Sequence, residues 1–349
     1  MRRFHCSCGQ ALFFDSVVCE RCNRPVGFAP DLGRMVALYD EGDGRYATLD
    51  TDAPPGLRYR YCNNGELHGI CNWLAVTDDT TDLCVACRLN RVVPDVGRPA
   101  NLERWSRLEA AKKRLLYSLS VLGLPVAGKG DEPQSGLAFD FMEDQRSNPD
   151  VPQAFVATGH ADGVITVNVM EADPAQQVIA RERLNEQYRT LLGHMRHESG
   201  HYFWDRLVRD SGFLRGFRGL FGDERGDYAA AMDAYYQKGT TPDWNEAFIS
   251  AYASAHPWED WAETWAHYLH MLDTLETAKA YGIVGEAVGD GSPHSFEDGV
   301  GEWMHLSVVL NELNRSMGQD DSYPFVVPPR VVDKLRFVHE VVQANRAGE

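Results

Sequence analysis

The side chains in this sequence that are able to do chemistry are mostly metal ligands. His197-Glu198-Ser199-Gly200-His201 sets two histidines four residues apart. On a helix these positions share a face, so both imidazoles can converge on one zinc ion, with Glu198 beside them as a base for an attacking water. A third ligand must come from elsewhere, because the next histidine after His201 is His256. A carboxylate on a downstream helix is the favoured source. In Trp258-Glu-Asp-Trp-Ala-Glu-Thr-Trp-Ala-His-Tyr268, helical spacing puts Glu259, Glu263 and His267 on one face. Glu263 is the expected ligand and Glu259 its rival. Trp258, Trp261 and Trp265 around them imply burial, and a buried carboxylate needs a metal or another partner.

The second set of ligands is cysteine. All eight cysteines lie within the first 87 residues. In a chain that opens without a signal-peptide pattern, clustered cysteines indicate zinc in a reducing compartment, here the cytoplasm, rather than disulfides. Cys6-Ser-Cys8 and Cys19-Glu-Arg-Cys22 have the two-knuckle spacing of a zinc ribbon. Cys62, Cys71, Cys84 and Cys87 form a second four-thiolate set, although eight residues separate its first two members. His68 is an alternative to Cys62 as a ligand.

These ligands require elements to hold them. Residues 1–30 read as the first ribbon, and residues 31–100 as a hairpin plus the second ribbon-like module. Within the latter, Glu41-Gly-Asp-Gly44 marks a turn between Met35–Tyr39 and Arg45–Leu49. Apolar residues at helical spacing from Leu102 to Leu122 predict a helix capped by Asn101, followed by a Gly/Pro-rich linker to Gly136, so residues 101–136 form a connector. Residues 137–349 are expected to form the main domain. Its strands are predicted at 137–141, 154–157 and 163–169, the last after the turn His160-Ala-Asp-Gly163. A long helical pattern then runs from Pro174 through Val178, Leu184, Tyr188 and Leu191 to Met195 and into the histidine motif. Strands followed by helices predict an α+β fold, a small mixed sheet with helices. Strand 163–169 is expected to be the edge to which an extended peptide adds.

The net charge is −17, and the first hundred residues are nearly balanced, so the acidity belongs to the main domain. That argues against binding the phosphate backbone of a nucleic acid. No stretch has the roughly 18 uninterrupted apolar residues that span a bilayer.

The chain resembles the bacterial zinc-binding metallopeptidases that join N-terminal zinc-ribbon modules to a zincin domain. The resemblance rests on the first cysteine set, Gly69-Ile-Cys-Asn-Trp73, Leu191-Leu-Gly-His-Met-Arg-His-Glu-Ser-Gly-His-Tyr202, Phe221-Gly-Asp-Glu-Arg225 and His256-Pro-Trp-Glu-Asp-Trp-Ala-Glu-Thr-Trp-Ala-His267. It implies a gluzincin with His197, His201 and a glutamate as ligands, Glu198 as catalytic base, and a peptide or protein substrate. His267 stands four residues after Glu263, where the thermolysin pattern has an aspartate. The carboxylate supporting a ligand histidine is therefore expected from Asp260 or Asp205. His256, Tyr252 and His267 are candidates to stabilise the oxyanion, with His256 preferred, and His194 reads as structural. The competing class is an adaptor that binds a protein partner through its ribbons, with the main domain an inactive scaffold. Hydrolysis of a non-peptide amide would use the same residues.

Two thiolate sets and one histidine site call for about three zinc ions per chain, two structural and one catalytic. Elemental analysis of protein purified without chelator should return that value, and a result near one would remove at least one thiolate centre.

Overall fold

A computed structural model of the chain describes residues 1–77, 81–184, 190–284 and 295–346. The first ribbon is built on β1 (Phe4–His5) and β2 (Ala11–Leu12), an antiparallel pair between the two knuckles. A five-stranded antiparallel sheet follows: β3 (Val26–Ala29), β4 (Arg34–Gly42), β5 (Arg45–Thr48), β6 (Arg58–Tyr61) and, after the short α1 (Asn63–His68), β7 (Leu74–Val76). Asp43 and Gly44 make the β4–β5 turn with φ of 53° and 71°. Two successive positive φ values are what an Asp-Gly hairpin turn needs.

After the last cysteine pair the chain enters β8 (Asn90–Val92) and then α2 (Pro99–Val121). This helix begins earlier than the pattern predicts: Pro99 takes the first helical position, where its missing N–H costs nothing. Asn101 is instead buried inside the first turn, its side-chain amide donating to Asp95 O and Glu143.

The main sheet contains β9 (Ala138–Met142), β10 (Gly159–Ala161) and β11 (Val164–Asn168). Its order is β10-β11-β9-β8, with β8 and β11 both parallel to β9. The sequence reading differs from this at two places. Residues 154–157 form no strand; Val156 is held by its N–H to Asp144 and by Asn168, which donates to its carbonyl. Strand 163–169 is not the edge, because β10 covers it across the Asp162-Gly163 turn.

The helical layer comprises α3 (Pro174–Leu184), α4 (Leu191–Leu207), α5 (Leu214–Leu220), α6 (Tyr228–Lys238), α7 (Pro257–Ala280), α8 (Phe296–Ser316) and α9 (Pro329–Ala344). The predicted helix through Tyr188 is only partly described, since residues 185–189 lie outside the described set. Thr190 starts α4 afresh, its hydroxyl accepting from Gly193 N–H at 3.0 Å. No described helix is long and apolar enough to cross a membrane.

The N-terminal modules and the main domain share a core. One cluster of buried apolar residues runs from Phe4 and Trp73 through Leu115 and Phe139 to Trp261 and Val342. Strand β8 carries the second cysteine module into the main sheet, where Arg91 pairs with Asp140. Behind it, Lys112 and Glu109 of α2 form a fully buried ion pair at 2.9 Å. Glu109 also accepts from Trp105 Nε1 and from the Asn90 side chain. Deleting one member of such a pair leaves an uncompensated charge in low dielectric. Lys112→Met should therefore cost about 3–5 kcal/mol in urea unfolding, and adding Glu109→Leu should recover a large part of it. A loss below about 1 kcal/mol in the single variant would contradict this account of the junction.

Candidate metal centre

The main-domain site forms where α4 crosses α7. Between the two histidines of the motif, Ser199 and Gly200 face the partner helix. A Cβ added to Gly200 would lie 2.9 Å from the Ala262 backbone and 3.1 Å from the Trp265 ring. Only glycine lets the helices approach so closely. Trp261 Nε1 donates to Gly200 O at 2.8 Å, Trp265 Nε1 donates to Ser199 Oγ at 3.1 Å, and Phe203 stacks on Trp265. This seam fixes the histidines against the first turns of α7. His256 caps that helix, its Nδ1 accepting from Trp258 N–H.

His197 Nε2 and His201 Nε2 lie 3.2 Å apart. Glu259 Oε2 is 3.0 Å from His197 Nε2, and its Oε1 is 3.5 Å from His201 Nε2. Ligands on a tetrahedral zinc with bonds of about 2.0–2.1 Å stand about 3.3 Å from one another, so these three donors match one face of such a site. Glu263, the carboxylate expected from spacing, lies elsewhere. It contacts the other ring nitrogen of His197, with Oε1 2.7 Å from Nδ1, and its second oxygen accepts from Ser250 Oγ at 2.5 Å. Glu263 thus occupies the supporting position for which Asp260 and Asp205 were the candidates. Those two are engaged with Lys334 and Arg209.

His201 is held between two rings, Trp258 at 4.1 Å and His160 of β10 at 6.4 Å, the latter nearly parallel to it. Burial, then the His201 charge, pulls the His160 pKa down to about 3, so this ring is neutral. Glu198 is buried beside the histidines. Burial raises its pKa, and the neighbouring histidines oppose that shift. Burial would likewise raise Glu263, but the hydrogen bond and charge of His197 prevail and hold it at about 2.

The other sequence candidates separate. His256 uses Nδ1 for the cap, which leaves Nε2–H as a buried donor without a partner among the described residues. Tyr252 lies 5.8 Å from the His197 ring. His267 points into the core, hydrogen-bonded to Tyr323 and packed on Phe325. His194 pairs with Glu171. Three residues escaped the sequence reading: Tyr228, whose hydroxyl donates to Glu259 Oε1 at 2.8 Å, Ser250 and His160. Only His160 left a trace there, as part of a predicted turn.

The eight cysteines are all free and fall into the two expected groups. Sγ atoms of Cys6 and Cys22 are 3.6 Å apart, as are those of Cys8 and Cys19, and those of Cys71 and Cys84 are 3.7 Å apart. Tetrahedral zinc with bonds of about 2.3 Å separates its sulfurs by about 3.75 Å, so both groups have zinc-site dimensions. Cys62 belongs to the second group, whereas His68 packs on Trp105.

A family model described as "Putative zinc-binding metallo-peptidase" matches residues 101–341, and a zinc-ribbon domain model matches residues 3–98. The chain belongs to this family of zinc-binding metallopeptidases. It is similar to uncharacterized proteins of Mycobacterium tuberculosis and Mycobacterium bovis. Each is 41% identical over 348 residues, covering 98% of this chain and 95% of the relative. No solved structure matches the chain significantly.

Gly200→Ala tests the seam on which the centre is built. Overpacking there should cost about 1–3 kcal/mol in thermal or urea unfolding and should weaken metal retention at the histidines while sparing the thiolate centres. Unchanged stability would mean that the helices are not in close contact.

Proposed function

We propose that the protein is a gluzincin-type zinc peptidase in which His197, His201 and Glu259 hold the catalytic ion and Glu198 is the general base. The observation that carries this reading is the placement of the Glu259 carboxylate of α7 against the Nε2 atoms of both α4 histidines at tetrahedral-site distances. Zinc bound there would polarise the scissile carbonyl and lower the pKa of a water toward about 7. Glu198 takes the proton of the attacking water and delivers it to the departing amine. A positioned carboxylate of this kind serves as base in the first half of that transfer and as acid in the second. Glu263 keeps His197 oriented through Nδ1, as a carboxylate behind a ligand histidine does. His256 offers its Nε2–H to the developing oxyanion.

The edge strand β10 lies beside α4, with His160 against His201, so an extended peptide added to that edge would run past the centre. The two cysteine groups each hold one structural zinc, which suits a reducing compartment such as the cytoplasm.

Glu198→Gln should retain the full zinc content and thermal midpoint while hydrolysis of a cleavable peptide falls about 10²–10⁴-fold. Glu259→Ala should lose the main-domain zinc, and Glu263→Ala should weaken its binding about 10–100-fold. A Glu198→Gln protein that cleaves at the wild-type rate would end the mechanism, and stronger metal loss in Glu263→Ala than in Glu259→Ala would return the ligand role to Glu263.

A further inference from the structure

Tyr228 opens α6, a helix with no buried side chain. Asp227 caps it by accepting from Ala230 N–H at 3.0 Å. Tyr235 of the same helix packs on Tyr252, and Tyr228 is 40% exposed. The phenol nevertheless donates to Glu259 Oε1 at 2.8 Å, and its ring lies edge-on to His256 at 5.2 Å and Trp258 at 6.1 Å. Tyr252 lies beside His197. The carboxylate that receives this hydrogen bond is only 1% exposed.

A buried carboxylate that gives one oxygen to a metal keeps a second oxygen that also needs a donor, or its burial is penalised. Here the two oxygens of Glu259 have different partners. Oε2 approaches His197 Nε2, while Oε1 receives the Tyr228 hydroxyl and lies 3.5 Å from His201 Nε2. Partners of this kind orient ligands, and their loss typically costs about 10–100-fold in metal affinity.

We infer that Tyr228 is a positioning residue of the metal centre, holding the Glu259 carboxylate in place against the two histidine nitrogens. The inference rests on the proposed reading of Glu259 as a ligand. It gives α6 a purpose: this helix carries the hydroxyl that supports a ligand from the next helix, α7. It also ties the Phe221–Asp227 segment, which leads into α6, to the metal centre.

The test uses the full chain with its thiolate centres loaded. Zinc per chain is measured by elemental analysis after dialysis against graded dipicolinate, for wild type, Tyr228→Phe and Glu259→Ala. Thermal midpoints are recorded for each protein before and after the main-domain zinc is stripped. Tyr228→Phe should release that zinc at about 10–100-fold lower chelator. Its stripped form should melt with stripped wild type, so that the loss appears only in the stabilisation contributed by metal. A merely structural role for the hydrogen bond would lower both midpoints together and leave the chelator profile unchanged. If Tyr228→Phe keeps the wild-type profile while Glu259→Ala loses the ion, the positioning role is wrong and the ligand reading stands. If Glu259→Ala keeps the ion at wild-type chelator concentrations, the ligand reading fails and the inference falls with it.

Discussion

The close crossing of α4 and α7 at Gly200 is the contact on which the main-domain site depends. It is a packing constraint before it is a chemical one. With no side chain at Gly200, the Ala262 backbone and the Trp265 ring can lie against α4, and the two indole N–H groups fasten the seam to Gly200 O and Ser199 Oγ. The histidines on either side of that glycine project into the space left at the rim of the crossing. The motif therefore divides its labour: its outer residues are the candidate ligands, and its inner residues set the distance at which the partner helix delivers a carboxylate.

Charge is arranged around that seam in layers. Glu259 meets the Nε2 atoms of His197 and His201 and Glu263 meets the opposite nitrogen of His197, backed by Ser250. On the far side, His160 and Trp258 enclose His201 without adding charge, since burial keeps His160 neutral. Glu259 and Glu263 are tolerable in this buried cluster because each has a hydroxyl donor, Tyr228 and Ser250 respectively. The same rule governs the junction with the N-terminal modules, where Lys112, Asn90 and Trp105 together satisfy Glu109 close to Cys87. From the second cysteine centre, β8 leads across β9 and β11 to β10 at the site's edge. The thiolate module is thus built into the sheet that borders the histidines rather than hung from it.

Most of the local features were legible in the sequence because they depend on neighbours within a few residues. The cysteine knuckles, the Asp-Gly turns, the helices around the histidine motif and the tryptophan-lined helix after Pro257 all follow from short-range spacing, and so does the pairing of His197 with His201. Where local pattern and competing partners disagreed, the pattern was the weaker guide. Asn101 looked like a cap but Pro99 preceded it, and residues 154–157 had strand composition but were claimed by Asp144 and Asn168.

By itself the sequence determined the candidate ligand types, the helical face that carries Glu259 and Glu263, and the metallopeptidase family to which the chain belongs. It did not determine which glutamate lies against the Nε2 atoms of both histidines. The two differ by one helical turn, about 6 Å along the axis, and choosing between them is a question of axial register between α4 and α7. That register is set by Gly200 against Ala262 and Trp265, a contact between residues more than sixty positions apart. Tyr228 and His160 were hidden for the same reason, since each reaches the site from an element with its own local pattern. Tertiary structure made these choices because the free energy of helix packing is decided by whole surfaces, while the spacing of residues along one helix leaves every turn of a face equivalent.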